Sequence, residues 1–187
     1  EPFFGGGAVF FAKPKSEVEV INDINGEIIN FFKVLKSNFP ELQKEIRATL
    51  HSRELYKKAM VVYAHPDLFS DVKRAWALWV LTNQGFAGMI SSWGFGKDDA
   101  KEASLAVKRE NFTKDYEARL VRVQVENNNA LKVIQRCDDK ETFIYADPPY
   151  IGSDQGHYKG YSEDNYRELL DALSKVKGKF LLSSYPS

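Results

Sequence analysis

The stretch from Thr142 to Ser184 leaves few choices of fold. "TFIYA" is an apolar run that predicts a buried strand, "SEDNYRELLDALSKV" predicts a helix, and "KFLLSS" predicts a second strand. Ser162 stands at the N-cap with acids in the first turn; Tyr166, Leu169, Leu170 and Leu173 line one helical face, and Gly178 falls where a C-terminal cap belongs. A strand, a helix and a strand in that order require a right-handed parallel crossover. In parallel sheets ligands collect at the carboxyl ends of the strands, and the first strand here ends on "DPPY".

The rest of the chain fits this plan. "EPFFGGGAVFFAK" gives a glycine loop and the start of a short helix; "SEVEVIND" reads as a strand ending on Asp23, and "INGEIINFFKVLKSNF" as the following helix. From about Pro40 to Arg119 the pattern is helical, without a convincing strand. Alternation returns in "LVRVQVENNNALKVIQRC", where Val121, Val123 and Val125 are expected to share a face ahead of an Asn-rich end. The expected organisation is therefore a first part at 1–38, a helical insertion at 39–119 and a second α/β part at 120–187. Gly5 to Gly7, Asp23, Asn127 to Asn129 and Asp147 all fall at strand ends.

Composition narrows the function classes. With 187 residues, 43% of them hydrophobic, the chain supports one sizeable core. Its 26 basic and 26 acidic side chains cancel, so nucleic-acid binding needs a local patch. One candidate lies in a single helical stretch, where Lys33, Lys36, Lys44, Arg47, Arg53, Lys57 and Lys58 outnumber Glu41, Glu45 and Glu54; a solvated helix face is the commoner meaning of such a run. The loop "NQGFAGMISSWGFGK", with Phe86, Trp93 and Phe95, either inserts into DNA or packs over the core. A lone Cys137 and the lack of a long apolar run point to a cytoplasmic protein without a membrane span. The glycine loop opens without a strand to launch it, so the chain is expected to be part of a longer protein.

The residues Asp147, Pro148, Pro149 and Tyr150 carry the sharpest chemistry. The exocyclic amine of a nucleobase is a poor nucleophile, because its lone pair is delocalised into the ring. Asp147 and the Pro148 carbonyl would accept its two N–H groups, the prolines would hold both acceptors in advance, and Tyr150 would stack on the base. Such a base must leave its duplex to enter the site. The bland alternative is an Asp-Pro turn closing a strand. "FFGGG" lacks the dinucleotide spacing and the P-loop lysine, but with Asp23 at the next strand end it fits an adenosine-containing cofactor. Cys137, His51 and His65 show no catalytic or metal-ligand spacing, and no metal is expected; His157 and Tyr158 lie in a loop that reads as either a lid or a plain connection.

"EPFFGGG", "NDIN", "DPPY" and "LLSSYPS", in this order with a helical insertion between the second and third, resemble the D12 class of adenine-specific DNA N6-methyltransferases. The resemblance implies an α/β, Rossmann-like S-adenosylmethionine-dependent methyltransferase sheet with an inserted helical region, double-stranded DNA as substrate and S-adenosyl-L-methionine as cofactor. It further implies that Phe3, Gly5 and Gly7 shape the cofactor pocket, that Asp23 holds the ribose, and that Asp147 to Tyr150 hold the adenine, with Asp147 near the cofactor too. The family's earlier lysine-bearing segment would precede Glu1, Asn129 stands where many relatives have an acid, and "MISSW" replaces an arginine common in the family. Methylation of another amine (cytosine N4, an RNA base, a protein glutamine) and a non-catalytic DNA-binding remnant remain the alternatives.

Overall fold

The computed structural model describes residues 1–86, 90, 92–95, 100–150 and 161–184. Its elements run α1 (Ala8–Ala12), β1 (Glu19–Asn22), α2 (Gly26–Ser37), α3 (Phe39–Arg47), α4 (Arg53–Ala64), α5 (Asp71–Gln84), α6 (Ala100–Glu110), α7 (Lys114–Leu120), β2 (Val123–Glu126), α8 (Ala130–Cys137), β3 (Phe143–Ala146), α9 (Glu163–Ser174) and β4 (Lys179–Leu182). The chain forms two compact units, Glu1–Ile29 with Arg122–Ser187, and Asn30–Val121. Sequence patterning sets the insertion at 39–119, whereas the chain changes units at 29/30 and 121/122.

The first unit holds the strands as two parallel pairs. In one, β1 lies beside β2 with Ile21 opposite Val125; in the other, β3 lies beside β4 with Ala146 opposite Leu182. The segment before α1 also follows β1, because Glu1 bonds both Val20 and Asn22 through its backbone, as a parallel neighbour does. Around β3 the core consists of Ile134, Ile144, Ala146, Leu169 and Leu173, with Phe3 and Leu182 packed against it. Ser162 caps α9 in a reciprocal pair with Asn165, which fixes where that helix begins.

Four local expectations need correction. Val121 belongs to the end of α7, with helical dihedrals, and is exposed; only Val123 of the expected valine face is buried. In β3 just Ile144 and Ala146 are buried, while Phe143 faces outward, so the strand is covered on one side. Leu170 is exposed beside the buried Leu169 and Leu173 because the apolar stripe of α9 is narrow. Gly178 is not the cap of α9, since Lys175 closes that helix in a right-handed conformation. A Cβ at Gly178 would come within 3.0 Å of the Thr142 and Asp139 carbonyl oxygens, and close approach explains the glycine.

The second unit is helical, and among its described residues the one extended pairing is the bridge between Gly85 and Trp93. Helix α5 is buried along Ala75 to Leu81, which suits an element packed by α3 and α4. The turn between α3 and α4 has its polar groups claimed by side chains from elsewhere. Gln84, itself buried, donates to the Leu50 carbonyl at 2.9 Å and accepts from the Ser52 N–H at 3.0 Å. Arg109 donates to the Thr49 carbonyl at 2.5 Å, Trp76 donates to the Thr49 hydroxyl at 2.8 Å, and Glu102 accepts from the His51 N–H at 2.8 Å. Burial would raise the Glu102 carboxyl, but hydrogen bonds from Arg109 and the His51 backbone bring it below its ordinary value. No helix among the described residues is long and apolar enough to cross a membrane.

Two outcomes follow from these contacts. Gly178→Ala must displace backbone and is expected to lower stability by about 1–3 kcal/mol in urea unfolding, with an unchanged m-value. A depressed folded-state carboxyl stabilises above its unfolded pKa and ceases to do so as pH falls through the folded value. Glu102→Gln should therefore have a lower thermal midpoint than the parent near neutrality, and the two curves should converge on acidification below about pH 4.

Candidate active site

The carboxyl end of β1 organises the glycine loop. Asn22 is fully buried, and its side-chain amide donates to the Pro2 carbonyl at 2.9 Å and to the Asn128 carbonyl at 3.0 Å, while its oxygen accepts from the Asn128 N–H at 2.9 Å. The Asn22 backbone accepts from Phe4 and donates to Glu1, both at 2.9 Å. One residue thus joins the glycine-bearing segment, β1 and the Asn-rich turn after β2. Asp23, next to it and also buried, accepts from the Gly5 N–H at 2.9 Å and from the Asn25 N–H at 2.8 Å.

Each asparagine of the turn has its own task. Asn127 donates to the Asp23 carbonyl at 2.7 Å, Asn128 meets Asn22, and Asn129 caps α8 by accepting from Leu131 and Lys132. Held this way, Gly5 and Gly7 take left-handed dihedrals, with φ of 51° and 68°. A Cβ at Gly7 would also strike the Phe4 ring at 2.6 Å, whereas the space beside Gly6 is open.

A cavity of about 290 Å³ brings distant motifs together within the first unit: Phe3 and the Gly5 to Gly7 loop line it together with Tyr145 and Asp147 to Tyr150. Asp23 sits behind the loop rather than in the lining. Pro148 and Pro149 are buried at the end of β3, while Asp147 is exposed. The Tyr150 hydroxyl lies 2.7 Å from the Ser183 hydroxyl and donates to Asp147 at 3.3 Å. Burial, with the Asp147 carboxylate next in effect, pushes the Tyr145 phenol up. Tyr161, whose ring meets Phe3 edge-on at 6.3 Å, is pushed up to about 12, chiefly by burial. The cavity therefore combines bare backbone, aromatic faces and two acidic residues, Glu1 and Asp147, a surface suited to a flat heteroaromatic ring bearing an amine.

Sequence reading put Asn128 in a strand-end turn and Asn22 and Ser183 inside quoted motifs, but assigned none of the three its own part in this centre. Cys137 is half-buried, His51 stacks on Trp93 at 4.9 Å, and the described residues contain no group of three His, Cys, Asp or Glu able to hold a metal. The lid residues His157 and Tyr158, and the last residues of "LLSSYPS", lie outside the described residues.

Asn22→Leu keeps the volume and strands the Pro2 and Asn128 carbonyls and the Asn128 N–H. We expect a loss of about 2–4 kcal/mol in chemical unfolding, together with faster amide exchange at Gly5 than in the parent. Unchanged exchange at Gly5 would show that the loop does not depend on Asn22.

Comparisons with known proteins place the chain in a family. Residues 1–185 match the family described as D12 class N6 adenine-specific DNA methyltransferase. The chain is 28% identical over 210 aligned residues to the Type II methyltransferase M1.LlaDCHI of Lactococcus lactis subsp. cremoris, covering 100% of this chain and 71% of that protein. It is 26% identical over 166 residues to the Type II methyltransferase M.MjaIII of Methanocaldococcus jannaschii, covering 80% of this chain and 57% of that protein. With a match along nearly its whole length and both motif clusters at one cavity, the chain belongs to the D12 class of N6 adenine-specific DNA methyltransferases.

Proposed function

We propose that the cavity between the glycine loop and Asp147 to Tyr150 is where N6 of an adenine, turned out of duplex DNA, receives its methyl group. The observation that carries this reading is the shared cavity itself, since Gly5 to Gly7 and Asp147 to Tyr150 stand about 140 residues apart in sequence. Enzymes of this family use S-adenosyl-L-methionine, which supplies an electrophilic methyl carbon for direct displacement. The loop fits such a group: two left-handed glycines and an open flank at Gly6 present bare backbone toward the cavity. Phe3, Gly5 and Gly7 would hold it, with Asp147 close by.

In this reading Asp23 fixes the Gly5 amide from behind the loop, and the ribose contact that the family pattern implies would add to a carboxylate already accepting from Gly5 and Asn25. Asp147 and the Pro148 carbonyl accept hydrogen bonds from the two N–H groups of the amine, which draws its lone pair out of conjugation with the ring. Tyr150 stacks on the base and replaces part of the stacking lost on flipping, a cost of a few kcal/mol. Catalysis is then positioning and electrostatics, with no covalent enzyme intermediate. The unit Asn30–Val121 serves as the target-recognition region, and the two parallel strand pairs belong to one Rossmann-like sheet.

The test is transfer of labelled methyl from S-adenosylmethionine to unmethylated duplex DNA by the complete protein, followed by digestion to identify the base. Label is expected in N6-methyladenine. Asp147→Ala should reduce the rate at least about 100-fold with the fold intact, and Tyr150→Phe should lose less than Tyr150→Ala. Transfer at the parental rate by Asp147→Ala would remove the carboxylate from the mechanism, and label in another base would reassign the substrate.

A further inference from the structure

The α3–α4 turn is built more rigidly than a surface connection requires. Five contacts from Gln84, Arg109, Trp76 and Glu102 fix Thr49 to Ser52, and Ser52 also caps α4 by accepting from Leu55. What this turn presents outward is cationic and aromatic. Arg53 lies over the Trp93 ring at 4.8 Å, and His51 stacks on the same indole at 4.9 Å and 27°. Trp93 is itself held, donating to Gln84 at 3.5 Å.

On the two helices that flank this turn, basic side chains outnumber the acids. Lys44, Arg47, Arg53 and Lys57 are exposed and form no ion pair among the described residues. Of the nearby acids, Glu54 pairs with Lys58 and Glu45 with Lys73, while Glu41 stands one turn before Lys44 on α3 without an ion pair to it. Lys44 and Arg47 stand three apart on α3, and Arg53 and Lys57 four apart on α4, so each pair shares a helical face beside the turn. A chain of zero net charge has thus gathered four exposed cations, without ion pairs among the described residues, on the two helices that flank one turn. The contact brings the guanidinium carbon over the indole, and the guanidinium N–H groups of Arg53 can then grip two oxygens of one phosphate.

We infer that the α3–α4 turn, with Lys44 and Arg47 on the helix before it, Arg53 and Lys57 on the helix after it and the His51–Trp93 stack that Arg53 covers, is a preformed contact for the phosphate backbone of duplex DNA. This rests on the proposed DNA substrate and adds where and how the duplex is gripped. Because the contact is to phosphate, it sets affinity and register without reading sequence.

The experiment measures duplex binding and methyl transfer by the complete protein over a range of salt concentrations. Each exposed cation that neutralises a phosphate adds about 0.9 to the slope of log K against log salt. Arg47→Gln with Arg53→Gln should lower that slope by about 2, whereas Lys140→Gln with Lys177→Gln, which removes the same charge from the other unit, should leave it nearly unchanged. Arg53→Lys should keep the slope yet weaken binding, because it preserves the charge and loses the planar fork. A parental slope in the Arg47/Arg53 variant, or an equal fall in the Lys140/Lys177 control, would overturn the assignment to this turn while leaving the methylation reading in place. Failure of the parent to bind or methylate DNA would overturn both.

Discussion

Two buried polar side chains at the end of β1 hold the candidate active site together. An unpaired buried amide or carboxylate costs at least about 1–3 kcal/mol, so Asn22 and Asp23 are tolerated there only with partners. Those partners come from the segment before α1 and from the turn after β2. The cost of burying polarity is thereby turned into a geometric constraint: the glycine-bearing segment cannot move from β1 and Asp23 without breaking five hydrogen bonds at once. A loop of three glycines gains most from this, because its own backbone has the most conformations to lose.

The helical unit applies the same device to a different end. Gln84 and Glu102 satisfy the backbone of the α3–α4 turn just as Asn22 satisfies the Asn128 backbone, and in both places a side chain distant in sequence takes the part of a missing ladder. Glu102 keeps its charge because Arg109 and a backbone N–H face it, so the clamp is electrostatic as well as directional. In the first unit the rigid object is bare backbone beside a cavity; in the second it is a charged, aromatic surface. Rigidity from buried polar contacts thus precedes function in each.

What was legible in the sequence depended on the range of the signal. The parallel pairing of β3 and β4, the helix between them and the Ser162 cap follow from local periodicity and capping chemistry, which act within a few residues. The outward turn of Phe143 and Leu170 was hidden, since an apolar residue carries no mark of which face is covered. Val121 misled because three alternating valines imitate a strand even when the first still belongs to a helix. Gly178 imitated a cap, while its real constraint is a pair of carbonyls more than 30 residues upstream in the chain. Asn22 and Asn128 were beyond reach for the same reason: their bond spans 106 positions, and neither residue type announces its partner.

Ser183 shows how a sheet can transmit that rigidity to the chemistry. Its N–H donates to the Ala146 carbonyl at 2.9 Å, so it extends the β3–β4 ladder one residue past the strands, and its hydroxyl then meets Tyr150. Tyr150 is therefore tied at one end by the buried prolines that follow β3 and at the other by the neighbouring strand. An aromatic ring held at both ends loses little further entropy when a flat partner lies against it, and that saving goes directly into the affinity of the stack. A hydroxyl shared between Ser183 and Asp147 also orients the carboxylate that the methylation reading sets against the amine. On that reading the closing "LLSS" belongs to the same machinery as "DPPY", through a register fixed by backbone pairing rather than by any contact with DNA or cofactor.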